Sequence, residues 1–280
     1  MNRRRAAAVL FALSVPAAAF AWGSGKEGDG KAITQPRKAE GFKRVAVQGE
    51  LDVEIKEGGA YAVVVTVDGN LQPLVTTEVE GETLVVGQKE NLAPSRGAKV
   101  AITLPELRGV ALNGSGDAKV TGAVANRPLD FELSGSGDLS YDGPAQGVDI
   151  DVNGSGGVSY RGSAQALKVS VNGSGDMNAQ LSGNLEKVDV EVAGSGDIKL
   201  SGGTAQALRV RSAGSGDLDL KGTQAKAVDV SLSGSGDAEV NVAQDGQLNA
   251  RLTGSGDLGW SGSPREKNIS HRGSGRAHQN

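Results

Sequence analysis

Seven aspartates stand at one recurring place in this chain, each directly after Gly-Ser-Gly: Asp117, Asp138, Asp176, Asp197, Asp217, Asp237 and Asp257. The serine of each string forms a second column, Ser115, Ser136, Ser155, Ser174, Ser195, Ser215, Ser235 and Ser255. Carboxylates beside hydroxyls suit three chemistries. Two carboxyls about 5–10 Å apart can cleave a glycosidic bond. A cluster of oxygens can hold Ca²⁺. A regular line of polar groups can bond locally or recognise a polar partner. The pairs recur evenly, whereas an active site is one irregular place in a scaffold, so glycosidase chemistry is the weakest of the three. Nothing else supplies catalytic groups. The two histidines, His271 and His278, lie in the polar end of the chain, and there is no cysteine. The Gly-Ser-Gly strings do not open helices, so a dinucleotide loop lacks its context.

Those strings begin at residues 114, 135, 154, 173, 194, 214, 234, 254 and 273, at intervals of 19 to 21 residues. A fixed period in that range marks a stacked repeat. Within a unit, every second residue is apolar or glycine, as in Val188, Val190, Val192, Gly194, Gly196, Ile198 and Leu200. Period two means strand with one face buried. The two glycines fall on the inward parity, where a missing Cβ lets the chain turn and approach its neighbour closely. Each unit is therefore strand, glycine corner, strand and a looser turn such as "SGGTAQA". Coils stacked at ~4.8 Å give an all-β protein, a right-handed parallel β-helix (β-solenoid). A β-sandwich or propeller is the runner-up, disfavoured by the short uniform unit.

Stacking in register makes equivalent outward residues neighbours. The column Asp149, Lys168, Asp189, Arg209, Asp229, Asn249 alternates in sign until its last member. Opposite charges facing across strands contribute ~0.2–1 kcal/mol each. The aspartate column is the opposite case, since two carboxylates ~4.8 Å apart repel by about 0.9 kcal/mol in bulk water. The favoured offset is bonding from serine hydroxyls and corner amides, and the sharper alternative is Ca²⁺ between corners. The calcium-binding solenoid motif has two ligand turns per coil, and this chain has one.

Five segments follow. Residues 1–21 carry Arg3, Arg4 and Arg5, an apolar run and Ala19-Phe20-Ala21, the pattern of a secretory signal peptide. Residues 22–41 are polar and Gly-rich and read as a flexible leader. Residues 42–110 alternate less regularly and read as a β cap on the solenoid, with a separate small β-domain as the alternative. Residues 111–262 hold the repeat. Residues 263–280 read as a polar tail or a frayed last coil.

Without the leader arginines the chain has 26 basic against 33 acidic residues, which excludes nucleic acid as a natural partner. No apolar stretch in the mature chain approaches ~18 residues, so no transmembrane helix is expected. No cysteine precedes the mature start to take a lipid anchor, and aromatics at 3% are too few for a large ligand pocket.

"FKRVAVQGELDVEIKEG" (Phe42–Gly58), "VTVDGNLQPLVTTEVEGETLVV" (Val65–Val86) and the tandem "GSGD" corners resemble the head GIN domain family of bacterial exported proteins, also labelled putative auto-transporter adhesin. The resemblance covers roughly Phe42 to Trp260. It implies a β-helical, cell-surface or periplasmic protein with an adhesive role and no catalytic residues. Nothing after Trp260 offers the amphipathic strands of a membrane barrel, so the expectation is a head without its own translocator. The main functional reading is a non-enzymatic exported module that presents a polar edge to a glycan or an envelope or surface protein. That edge comprises Ser136, Asp138, Ser174, Asp176, Ser195, Asp197, Ser215, Asp217, Ser235, Asp237, Ser255 and Asp257. A structural envelope protein without a dedicated ligand is the second reading, and a polysaccharide-active enzyme the third.

Overall fold

Alternating apolar residues reach both sides of each glycine corner, and the chain forms two strand walls meeting at a shared edge. The computed structural model describes residues 25–122 and 124–280. The expected signal peptide lies outside them. Strands that run into the corner build an entry wall, and strands that leave it build an exit wall. On the entry wall the buried column reads Val45, Val110, Phe131, Ile150, Val169, Val190, Val210, Val230, Ala250, each paired in parallel with the next. On the exit wall it reads Val53, Ala118, Leu139, Val158, Met177, Ile198, Leu218, Ala238, Leu258. Nearly all of these side chains are fully buried, and one continuous core runs from Ala39 to Trp260. Each valine, leucine, isoleucine, phenylalanine or methionine among them contributes roughly 1.5–3 kcal/mol when buried. This is a parallel β-solenoid, with no α-helix among the described residues. In the later coils the expected loose turn keeps its ladder. Ile198–Ser212 is one strand, bent at Gly202 and Gly203, whose φ values of 74° and 62° favour glycine.

The front of the chain departs from simple order. Arg44–Gly49 and Asp52–Glu57 form a coil, with residues 49–52 ("GELD") in register with the Gly114 corner. The next coil in space on one side is Gly109–Gly114, but on the other it is Thr83–Gln88 and Lys99–Leu104. The chain therefore climbs, returns below its own first coil, and climbs again. Antiparallel strands close this end. Val75–Glu80 pairs with Thr83–Gln88, and Ala62–Asp68 pairs with Lys99–Leu104.

Both ends of the described chain carry paired strands. Residues 22–41, expected as a flexible leader, contain Ala32–Arg37, an antiparallel edge strand on Ala62–Asp68. It shows no alternation because it buries almost nothing. Side-chain bonds hold it instead: Gln72 Nε2 donates to the Ile33 and Val65 carbonyls, and Arg37 donates back to Gln72. Residues 263–280, expected as a tail or frayed coil, form a paired last coil of Glu266–Gly273 and Ala277–Gln279. Its inward positions are largely polar. Lys267 follows Leu248 in register, His271 follows Leu252, and Gln279 follows Trp260. Charged inward residues blunt an open sheet edge, so this coil ends the core.

The charge ladder is real in register but selective in its contacts. Lys168 Nζ lies 2.9 Å from Asp149 Oδ1 and Arg209 lies 3.8 Å from Asp229. Asp189 instead pairs with Lys187 on its own strand. Burial pushes the Asp149 carboxyl up despite its lysine. Burial is also the largest single influence on Lys168 and opposes its charge, but the bond to Asp149 and the carboxylates of Asp149, Asp151 and Glu191 together raise that ammonium. Further forward, Gly109 has no side chain, and Arg44 reaches across it to Asp130 at 2.6 Å.

Candidate functional site

The corner is held by backbone. The first glycine's carbonyl accepts from the serine and second-glycine amides one coil on, as in Ser136 N to Gly114 O at 2.9 Å and Gly137 N to the same oxygen at 3.2 Å. A Cβ on Gly137 would lie 2.0 Å from the Gly116 oxygen. Only glycine allows that approach. The second glycine is buried, while the serine and aspartate beside it face solvent.

The aspartates form a ladder of their own. Asp117 Oδ1 accepts from the Asp138 amide at 2.9 Å, Asp176 from Asp197 at 2.9 Å, Asp197 from Asp217 at 2.8 Å, and Asp217 from Asp237 at 3.0 Å. Asp237 accepts from Asp257 at 2.7 Å, and Asp257 from Arg276 at 2.6 Å. Each carboxylate thus binds the amide of the next coil, a charge-assisted bond that offsets the repulsion along the column. Of the two donors expected for it, the corner amide is the one used. Among the described residues no corner serine hydroxyl donates to these carboxylates, and Ser274 and Ser255 bond each other instead. Asp52 belongs to the same ladder, since its Oδ1 accepts from the Asp117 amide at 3.0 Å. Sequence reading missed it because "GELD" lacks the serine and second glycine and lies far from the next corner.

Beside the ladder runs an open trough of about 820 Å³ on the outer face of the exit wall. One bank is the carboxylate column: Asp52, Asp117, Asp138, Asp176, Asp197 and Asp217. The other bank presents Glu54, Lys119, Ser140, Ser159, Asn178 and Lys199 in coil order. Of the residues expected on the polar edge, Asp138, Asp176, Asp197 and Asp217 line the trough. Asp237 and Asp257 continue the column beyond it, and Ser136, Ser174, Ser195, Ser215, Ser235 and Ser255 lie exposed along the edge but outside it. The second bank escaped sequence reading, although its signal was present as the outward parity after each corner.

The profile of one protein family, described as "Putative auto-transporter adhesin, head GIN domain", matches residues 41–182 and 178–264. The chain belongs to this family. The two matched stretches meet at residues 178–182, where the head GIN fold has no boundary: Met177–Ser182 pairs with the coils on both sides. No protein of curated function matches. Two solved structures share the fold. A putative adhesin from Parabacteroides distasonis is 21% identical with a TM-score of 0.67, covering 91% of this chain and 99% of its own. A putative adhesin from Parabacteroides merdae is 18% identical with a TM-score of 0.60, covering 90% and 98%.

Among the described residues of this head GIN domain, no group of three or more His, Cys, Asp or Glu is placed to hold a metal ion. With one oxygen of each ladder carboxylate bonded to an amide, the Ca²⁺ expectation gains no support from the geometry. The ladder has one gap. Gly157 stands where an aspartate should, so its amide is accepted by Asp138 at 2.8 Å but it offers nothing to the Asp176 amide. A Gly157→Asn change should supply that acceptor and restrict the unfolded chain, raising stability by about 0.5–1.5 kcal/mol. Gly157→Asp adds the same bond but also two like-charge contacts of about 0.9 kcal/mol each at low salt. Its melting temperature should therefore start below that of the asparagine variant and approach it as salt is added. Thermal melts across a salt series check both.

Proposed function

We propose that this head GIN domain is a non-enzymatic, exported binding module of the cell envelope, and that its trough takes a hydroxyl-rich glycan chain. The observation that carries the reading is the continuity of the trough. Carboxylates at coil spacing, interrupted at Gly157, face a bank of serine, asparagine and lysine side chains that ends in Glu54 and Asp219, across an open channel that matches a repetitive, polar ligand. Carboxylates accept from sugar hydroxyls, and the lysines on the opposite bank donate to ring and hydroxyl oxygens. The evenness of the carboxylates argues for binding over bond cleavage. The leader pattern of residues 1–21 supports export to the periplasm or cell surface. No described helix is long and apolar enough to cross a membrane.

The test is a glycan array probed with the full mature chain and with an Asp197→Asn/Asp217→Asn variant. Asparagine oxygens still accept from the next amides, so the fold and melting temperature should hold while array signal falls. Equal signal from both proteins would move the ligand off the trough. Silence of both across the array would favour a structural envelope role, to which the self-satisfied ladder also lends itself. Release of reducing sugar from any bound polysaccharide would overturn the non-enzymatic assignment.

A further inference from the structure

The entry wall carries a second, basic trough that the corner does not explain. It lies on the wall's outer surface over the last coils, with a volume of about 620 Å³. Its central column reads Arg211, Ser231, Arg251, Ser270 in ladder register. Arg211 and Arg251 are exposed, and among the described residues neither guanidinium makes a hydrogen bond or an ion pair. Glu191 precedes Arg211 in register and does not bind it. Elsewhere on this wall Lys168, Lys187 and Arg209 have carboxylate partners. Two free guanidinium groups on a chain of net negative charge are unsatisfied donors of fixed planar geometry, suited to carboxylate or sulfate.

We infer that this trough binds a linear anionic polysaccharide, independently of the glycan site at the corner. The geometry selects the class. Arg211 and Arg251 stand two coils apart, about 9.6 Å, with the neutral Ser231 between them. That spacing suits a polymer whose acidic groups fall on alternate sugars, with uncharged hydroxyls meeting Ser231 and Asn249. A polyphosphate would bring charge to every unit and set some of it against Asp229, which lines the same trough. A protein partner would want an apolar or aromatic centre, and every outward side chain here is polar or charged.

The experiment measures binding of the mature chain to immobilised hyaluronan, with a carboxylate on every second sugar, to keratan sulfate, with a sulfate on every second sugar, and to unmodified dextran, at low and high salt. Retention is expected on the polyanions, carboxylate and sulfate distinguishing which acid is preferred. It should weaken with salt and be absent on dextran. The Arg211→Ser/Arg251→Ser variant repeats residues already present at 231 and 270, so it should fold with an unchanged melt and bind about tenfold more weakly. The Asp197→Asn/Asp217→Asn protein should bind polyanion as the parent does, which separates this site from the corner trough. Equal retention of the arginine variant, or retention of neither polyanion, overturns the inference. So does a doubling of mass at low salt that the arginine variant abolishes and polyanion fails to compete, since the acidic face of a second copy would then be the occupant.

Discussion

A Gly216→Ala protein should melt about 6–12 °C below its parent, while Ser215→Ala, one residue away in the same corner, should melt within about 2 °C of it. The two residues differ in where their side chains would go. Ser215 is exposed, and removing its hydroxyl leaves no buried group unpaired. Exposed changes of that kind stay within about 0.5 kcal/mol. A methyl group on Gly216 would stand 2.0 Å from the Gly196 oxygen and 2.7 Å from its carbonyl carbon. Neither atom can move freely, because the adjoining amide of Ser215 is bonded to Gly194 O at 2.9 Å. Relief requires the coils to part, lengthening that bond and its neighbours in both walls. Overpacking against a flexible side chain costs about 1–3 kcal/mol, and rigid backbone puts this case at about 3 kcal/mol or more. Melts followed by circular dichroism decide it. If Gly216→Ala melts like its parent, the corners are not in close contact and the stacked geometry is wrong.

The same contrast explains which parts of this fold were legible beforehand. Period-two alternation around paired glycines reports a constraint that every coil obeys, so coil length, the inward columns and the parallel stack could be read directly. The partner of each aspartate could not. Its acceptor role depends on an amide about twenty residues away, and nothing in the string Gly-Ser-Gly-Asp distinguishes that amide from a serine hydroxyl in the same corner. Asp52 and the coil formed by Thr83–Gln88 and Lys99–Leu104 were hidden for a topological reason. Stacking order follows sequence order through most of the repeat, and the front of the chain breaks that rule. The edge strand Ala32–Arg37 was hidden for an energetic one: it is held by Gln72 and Arg37 rather than by burial, and leaves no apolar period. The unpaired Arg211 and Arg251 were in plain view, yet their significance lies in what the neighbouring carboxylates fail to do, which only coordinates reveal.

Replacing Trp260 by alanine should be the most damaging change at the other end of the molecule. Trp260 is 4% exposed and stacks in register on Val240, with Gln279 as its successor in the last coil. It is the last large apolar side chain of the core. Lys267 completes the closure, its ammonium 5.0 Å from the centre of the indole ring, a placement that lets a cation cover the core while remaining hydrated. Truncation would remove the ring, leave a cavity, and deprive Lys267 of its platform, so a loss of about 3–5 kcal/mol is expected. Trp260→Phe tests the cause. The indole Nε1 is buried without a hydrogen-bond partner among the described residues, so phenylalanine relieves that penalty while keeping most of the packing, and should lie within about 1 kcal/mol of the parent. The damage should also be local. A solenoid coil touches only its neighbours, and destabilising the terminal one makes it fray ahead of the rest. Amide exchange in Trp260→Ala should therefore accelerate across Glu266–Gly273 and Ala277–Gln279 while the entry wall at Val110 and Phe131 keeps its protection. Uniform acceleration along the whole chain would mean that the coils unfold as a single unit and that the polar last coil does not act as a cap.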